Sequence, residues 1–273
     1  MVARKHTALC FSGLDPSGGA GLLRDLSVLN DHQIHVMAVL MSETVQSSDE
    51  CKEIQGPTCA PATIFSTLVP FLPEVWGAKF GLLSIPIDEL HQLMKLLKQF
   101  PPRFLIWDPI MGPTQGVAHH NAEDLKEIAK SIGSTHFFDH DWVISPNLNE
   151  FKFLANPIDS MNAEDLIRAS KPIFDSGFTN VWLKGGHGSS DVIDDYWISD
   201  KECHLIASHP RSQIKPRGTG CYLSSSWLAY RLGGLSAFES ARQATLDLQN
   251  IWTLADTLPK SSRPILGLKK NYS

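Results

Sequence analysis

The chain has little of what marks a secreted, membrane-spanning or nucleic-acid-binding protein. Its 273 residues hold only five cysteines, Cys10, Cys51, Cys59, Cys203 and Cys221, an odd number with no C-x-x-C pair. Neither a disulfide framework nor a cysteine zinc site fits that spacing, and a reducing cytoplasm is the expected compartment. No apolar run approaches the roughly 18 residues of a membrane span. The apolar stretch behind the basic Arg4, Lys5 and His6 stops at Phe11, too soon for a signal-peptide core. Positive charge is scarce: 24 Lys and Arg against 29 Asp and Glu leave a net −5, which offers no general attraction to nucleic acid or an acidic membrane. Small-molecule partners are expected instead. No repeat, low-complexity tract or linker divides the chain, so a single domain over 1–273 is expected. Residues 258–273, with four Lys and Arg, read as a surface extension.

What is present is alternation. Runs rich in β-branched and aromatic residues at 7–11, 35–44, 75–80, 104–107, 142–144, 181–183 and 192–198 predict strands. Helical patterns lie at 19–30, 60–71, 86–99, 122–132, 163–176, 220–232 and 237–257, several behind Asp, Ser or Asn capping residues. This rhythm implies an α/β fold, a mostly parallel sheet covered by helices on both faces. It breaks once, where Tyr196-Trp197-Ile198 and Leu205-Ile206-Ala207 flank Ser199-Asp200-Lys201 as a hairpin would.

Ligands of open α/β sheets collect outside the carboxyl ends of the strands. Six polar or glycine clusters are expected on that edge. The first spans residues 12–21, with Gly13, Asp15 and Gly19; Glu43-Thr44-Val45-Gln46 and Asp108-Pro109-Ile110-Met111 follow. Pro146-Asn147-Leu148-Asn149-Glu150, Lys184-Gly185-Gly186-His187 and Arg217-Gly218-Thr219-Gly220-Cys221 complete the set. The first cluster has neither the Lys-Ser/Thr ending of a P-loop nor the dinucleotide fingerprint.

The last cluster is the most telling. A Gly-Thr-Gly turn opening a helix aims backbone N–H groups and the positive dipole end at one point, where an anion can sit. A thiol there is expected to have a lowered pKa, so Cys221 is either base or nucleophile at an anion site or a buried junction residue. Asp25, one turn into the first helix, is either a ligand contact or a solvated helix carboxylate. Asp108 and Glu150 stand at two strand mouths. A hard cation such as Mg²⁺ needs few carboxylates, while Glu150 alternatively serves the dipole of the following helix. Lys184 is placed to meet phosphate as a point charge or to snorkel at the surface. His119, His120 and His187 show no metal-ligand spacing and read as structural or surface residues.

Together these motifs resemble the ribokinase-like superfamily, and most closely its hydroxymethylpyrimidine and phosphomethylpyrimidine kinases of thiamine biosynthesis. Their order and spacing agree from about residue 9 to 258. The resemblance implies a three-layer α/β/α fold and transfer of the ATP γ-phosphoryl group to 4-amino-5-hydroxymethyl-2-methylpyrimidine or its monophosphate, with Mg²⁺. It further implies that Cys221 is the general base and that Gly218, Thr219, Gly220 and the Cys221 N–H form an anion hole. Asp25, Gln46, Gly13 and Gly19 would then hold the pyrimidine, Asp108 and Glu150 the metal, and Lys184, Asn147, Thr219 and Arg242 the nucleotide.

 A homodimer is implied as well. The chain departs from the family pattern at residues 112–116 and at Glu43, which brings an extra acid near the expected pyrimidine end. A pyridoxal or other vitamin kinase of the same fold, and a pyrimidine-binding protein without catalysis, are the alternative readings.

Overall fold

The computed structural model describes residues 7–47, 51–111, 120–134, 140–187, 191–212, 214–252, 254–257 and 264–266. The chain opens with β1 (Thr7–Leu14), α1 (Gly21–Asp31), β2 (His35–Gln46), β3 (Cys51–Gln55) and α2 (Pro61–Leu68). Next come β4 (Val75–Phe80), α3 (Ile87–Leu97), β5 (Phe104–Trp107), α4 (Ala122–Gly133), β6 (Asp141–Ile144) and α5 (Leu148–Leu154). Then follow α6 (Ala163–Asp175), β7 (Asn180–Leu183), β8 (Val192–Ile198), β9 (Cys203–Pro210), α7 (Thr219–Leu232) and α8 (Ala237–Trp252). A short ribbon of β10 (Asp256–Thr257) and β11 (Pro264–Ile265) comes last.

Among the described residues one sheet runs β3-β2-β1-β4-β5-β6-β7-β8-β9. The pairs from β2 through β7 are parallel, while β3, β8 and β9 join antiparallel. Successive side chains of a strand point to opposite faces, and here each face has its own core. Leu9, Phe11, Leu105 and Trp107 enter one with residues of α2 to α6. Ala8, Cys10, Phe104 and Ile106 enter the other with residues of α1, α7 and α8. This is the three-layer α/β/α arrangement. The expected hairpin is β8–β9, with Tyr196 opposite Leu205.

Three differences from the sequence reading have local causes. The helix expected over 60–71 ends at Leu68, and a 3₁₀ turn containing Pro70 and Pro73 carries the chain to Glu74. Helix α5 was not among the helical patterns read from sequence, since seven residues are too few to show helical periodicity, although one reading of Glu150 placed a helix start there. Within the expected surface extension, Ile265 pairs with Asp256 and bridges to Arg217, and Leu266 is fully buried. The rest of that stretch, and the departure at 112–116, lie outside the described residues.

Candidate active site

The parallel strands end on one edge, and the turns that follow them bring the six clusters together. At the end of β1 the pairing with β2 shifts register between Ser12 and Gly13. Gly13 packs so closely on Ser42 that a β-carbon there would strike its hydroxyl. The chain then turns sharply: Asp15 Oδ1 accepts from the Ser17 N–H at 2.9 Å and from its hydroxyl at 2.7 Å. This turn packs on the Gly218 turn. Gly218 caps α7 with φ +82°, and a β-carbon there would meet the Gly19 carbonyl, so both its conformation and its surroundings require glycine. The N–H groups of Thr219, Gly220 and Cys221 begin α7 and have no intrahelical acceptor.

The ends of β5 and β7 approach this helix terminus. Lys184 Nζ donates to Asp108 Oδ1 at 2.7 Å, and both side chains are nearly buried. A β-carbon on Gly220 would lie 3.1 Å from Asp108 Oδ2 and 3.8 Å from Lys184 Nζ. Glycine at 220 therefore leaves open the space shared by a carboxylate, an ammonium and a helix N-terminus. Burial pulls the Lys184 ammonium down, but Asp108 and Glu150 outweigh it and hold its pKa above the ordinary lysine value. Glu150 caps the helix that follows it, one of the two readings the sequence left open. Its Oε2 accepts from the Asn147 N–H at 2.8 Å, and the Asn147 side chain accepts from the Asn149 and Glu150 N–H groups, a capping box on α5. It also lines the cavity. Burial pushes its carboxyl up to about 8, against the pull of Lys184 and with the repulsion of Asp108.

All six clusters contribute to one cavity of about 640 Å³. Gly13, Gln46, Asp108, Asn147, Glu150, Lys184 and residues 217–221 line it. A recess of about 260 Å³ adjoins it, walled by Ile193, His209, Pro210, Ser212, Gln249 and Trp252. The recess shares five of these residues with the main cavity. Among the described residues no group of three or more His, Cys, Asp and Glu side chains surrounds a single point. The donor set that fits a hard cation is the oxygen pair of Asp108 and Glu150, with Gly220 leaving room beside Asp108 Oδ2. Phosphate oxygens and water would complete such a shell.

Several expected residues take other places. Cys221 lines the cavity, but its thiol is not lowered: burial pushes it up to about 11, although Lys79 and the Gly21 N–H, 3.4 Å from Sγ, pull the other way. Dehydration of the thiolate exceeds what one helix terminus returns. Asp25, expected at the pyrimidine, has no exposed surface and is absent from the cavity lining. Its Oδ1 accepts from Ser225 Oγ at 2.9 Å and from the equally buried Lys79. Gly19 supports Gly218 rather than lining the cavity. Arg242, expected at the nucleotide, is half-exposed on α8, 3.5 Å from Glu239 and away from the cavity. Glu43 turns to Thr58, accepting from its N–H and hydroxyl, and adds no charge to the cavity lining. His120 Nε2 lies 2.5 Å from the Leu83 carbonyl, while His119 is outside the described residues.

Two residues of the site region were given no role from sequence: Lys79 was not named, and Arg217 was named only as the first residue of the Gly218 cluster. Lys79 is the one charge in the apolar strand 75–80, a pattern that demands a buried counter-charge. Arg217, beside the cavity-lining glycines, donates to Asp15 Oδ2 at 2.8 Å and to the Ser47 carbonyl at 2.5 Å. Its place immediately before Gly218 was the available signal.

Sheet order, layering and a cavity at the strand ends define a ribokinase-like kinase fold. The chain superposes on pyridoxal kinase from Staphylococcus aureus in complex with ADP with a TM-score of 0.78 at 20% identity, covering 95% of this chain and 92% of that one. It superposes on phosphomethylpyrimidine kinase from Clostridium difficile with a TM-score of 0.71 at 21% identity, covering 90% and 99%. Residues 15–259 match the phosphomethylpyrimidine kinase family, and the chain belongs to it. A hydroxymethylpyrimidine/phosphomethylpyrimidine kinase from Synechococcus elongatus is 28% identical over 241 residues, 87% of this chain and 88% of that protein.

Proposed function

We propose that this protein is an ATP-dependent kinase that phosphorylates 4-amino-5-hydroxymethyl-2-methylpyrimidine, its monophosphate, or both, toward the diphosphate used for thiamine. The observation that carries this reading is the meeting of Asp108 and Lys184 with the open N-terminus of α7 at Gly220. Phosphoryl transfer asks a protein mainly to position two reactants and stabilise charge on the group in flight. In this reading the Thr219, Gly220 and Cys221 N–H groups face the transferred phosphoryl oxygens, and Lys184 contacts the ATP phosphates with Asn147 nearby. Asp108 and Glu150 would hold Mg²⁺, which when bound neutralises phosphate charge. The acceptor lies toward Gly13 and Gln46, and the recess at Ile193 and Trp252 takes the base of the nucleotide.

The chain is taken as one kinase domain working in a reducing cytoplasm, its five cysteines forming no disulfide with one another. A homodimer is the assembly expected from the family. Mass spectrometry of products from the hydroxymethylpyrimidine with ATP and Mg²⁺ tests the activity. Monophosphate or diphosphate is the expected product. Unreacted pyrimidine beside phosphorylated pyridoxal would move the assignment to a vitamin kinase of the same fold, and pyrimidine binding without ADP release to a non-catalytic protein.

A further inference from the structure

At the acceptor end, four polar groups form a hydrogen-bond chain whose direction is set at both ends. Thr44 Oγ1 donates its only hydrogen to the Leu14 carbonyl at 2.8 Å, so toward Gln46 it can only accept. The Arg217 guanidinium at the other end can only donate. Between them the Gln46 amide has one orientation that satisfies both neighbours: its nitrogen donates to Thr44 Oγ1 at 3.3 Å, and its oxygen accepts from Arg217 Nη2 and, at 3.2 Å, from Nη1. Arg217 is itself held firmly. Its side chain is paired with Asp15, both nearly buried, its N–H donates to the Pro264 carbonyl at 2.9 Å, and its carbonyl accepts from the Leu266 N–H at 3.4 Å. Thr44, Gln46 and Arg217 all line the cavity.

Resting on the acceptor reading above, we propose that Arg217 is a specificity-determining positioning residue that fixes the Gln46 amide with an N–H toward the ligand. The amide oxygen is fully engaged by the guanidinium, and one of the two amide hydrogens by Thr44. What remains for a ligand is one donor and no acceptor. The site therefore selects a ring that presents an unprotonated, accepting nitrogen at that point, as an aminopyrimidine does. It disfavours the corresponding pyrimidinone, whose ring nitrogen carries hydrogen, because two donors would then face each other in a buried setting.

The test is the ratio of kcat/KM for the 4-aminopyrimidine acceptor to that for its 4-oxo analogue, measured by ADP release, with KM for ATP followed in parallel. The wild-type enzyme should favour the amino compound by about 100-fold, and Arg217→Met should narrow the ratio by about 10-fold or more, since the freed amide can turn its oxygen toward the ligand. KM for ATP should stay within about twofold. Gln46→Glu keeps the Arg217–Asp15 pair and offers only acceptors, so it should shift preference toward the oxo compound even if the Arg217 variant folds poorly. A ratio unchanged in Gln46→Glu, or in a folded Arg217→Met, overturns the inference while leaving the kinase reading intact. A wild-type enzyme that phosphorylates neither pyrimidine overturns the acceptor reading itself and the inference with it.

Discussion

At Cys221 the dipole of α7 and the Lys79 ammonium favour a thiolate, while burial opposes it and is the larger effect. With the thiol near 11, the thiolate fraction at neutral pH is on the order of one in ten thousand. The backbone N–H groups beside it carry no such penalty and are already aimed at the cavity. Cys221→Ala is therefore expected to lower kcat by less than about tenfold, whereas Gly220→Ala, which puts a methyl 3.1 Å from Asp108 Oδ2, should lower it by about 100-fold. Steady-state kinetics at saturating substrates decide the point. A loss above a thousandfold, roughly, in Cys221→Ala would restore the thiol as the base.

Between elements, the Lys79–Asp25–Ser225 cluster joins β4, α1 and α7 under the glycine turns. Burial opposes the Lys79 charge, but Asp25 outweighs it and raises the pKa above the ordinary lysine value, so the ammonium keeps its charge. Removing one partner leaves the other charge buried and uncompensated. Lys79→Met should reduce unfolding free energy by about 3–5 kcal/mol in urea titrations, and adding Asp25→Leu should recover most of it. Recovery would mark the pair as an internal tie between elements. If the double variant remained as unstable as the single one, the loss would come from packing instead.

At the scale of the whole molecule, the end of the chain returns to the site. Ile265 bridges to Arg217 and lies against Gly19, and Leu266 is buried in the core beneath α7 and α8. The turn that carries Gly218 to Cys221 is thus held by residues more than 40 positions further along the chain. Leu266→Ala should cost about 2–5 kcal/mol of stability. It should also speed amide hydrogen exchange in the segment around Arg217–Cys221 more than in β5, as mass spectrometry of peptides would show. Equal protection in both segments would mean that the anchor does not reach the turn.

Much of this architecture was legible because its signals are local. Period-two apolar runs, helical periodicity and strand-end glycines depend on residues close in sequence, so a mostly parallel sheet, the β8–β9 hairpin and the convergence of six clusters could be read in advance. Gly218, Gly220, Asp108, Glu150 and Lys184 were found in the same way. What tertiary structure alone decided is where water is excluded and which distant groups meet. Enclosure raised the Cys221 thiol, Lys79 and Ser225 drew Asp25 into the interior, and Arg242 fell on an outward helix face. The pairing of Arg217 with Asp15 joins residues 202 positions apart, a contact that no spacing along the chain encodes. Desolvation and long-range pairing depend on the packed whole, whereas strand, helix and turn propensities do not.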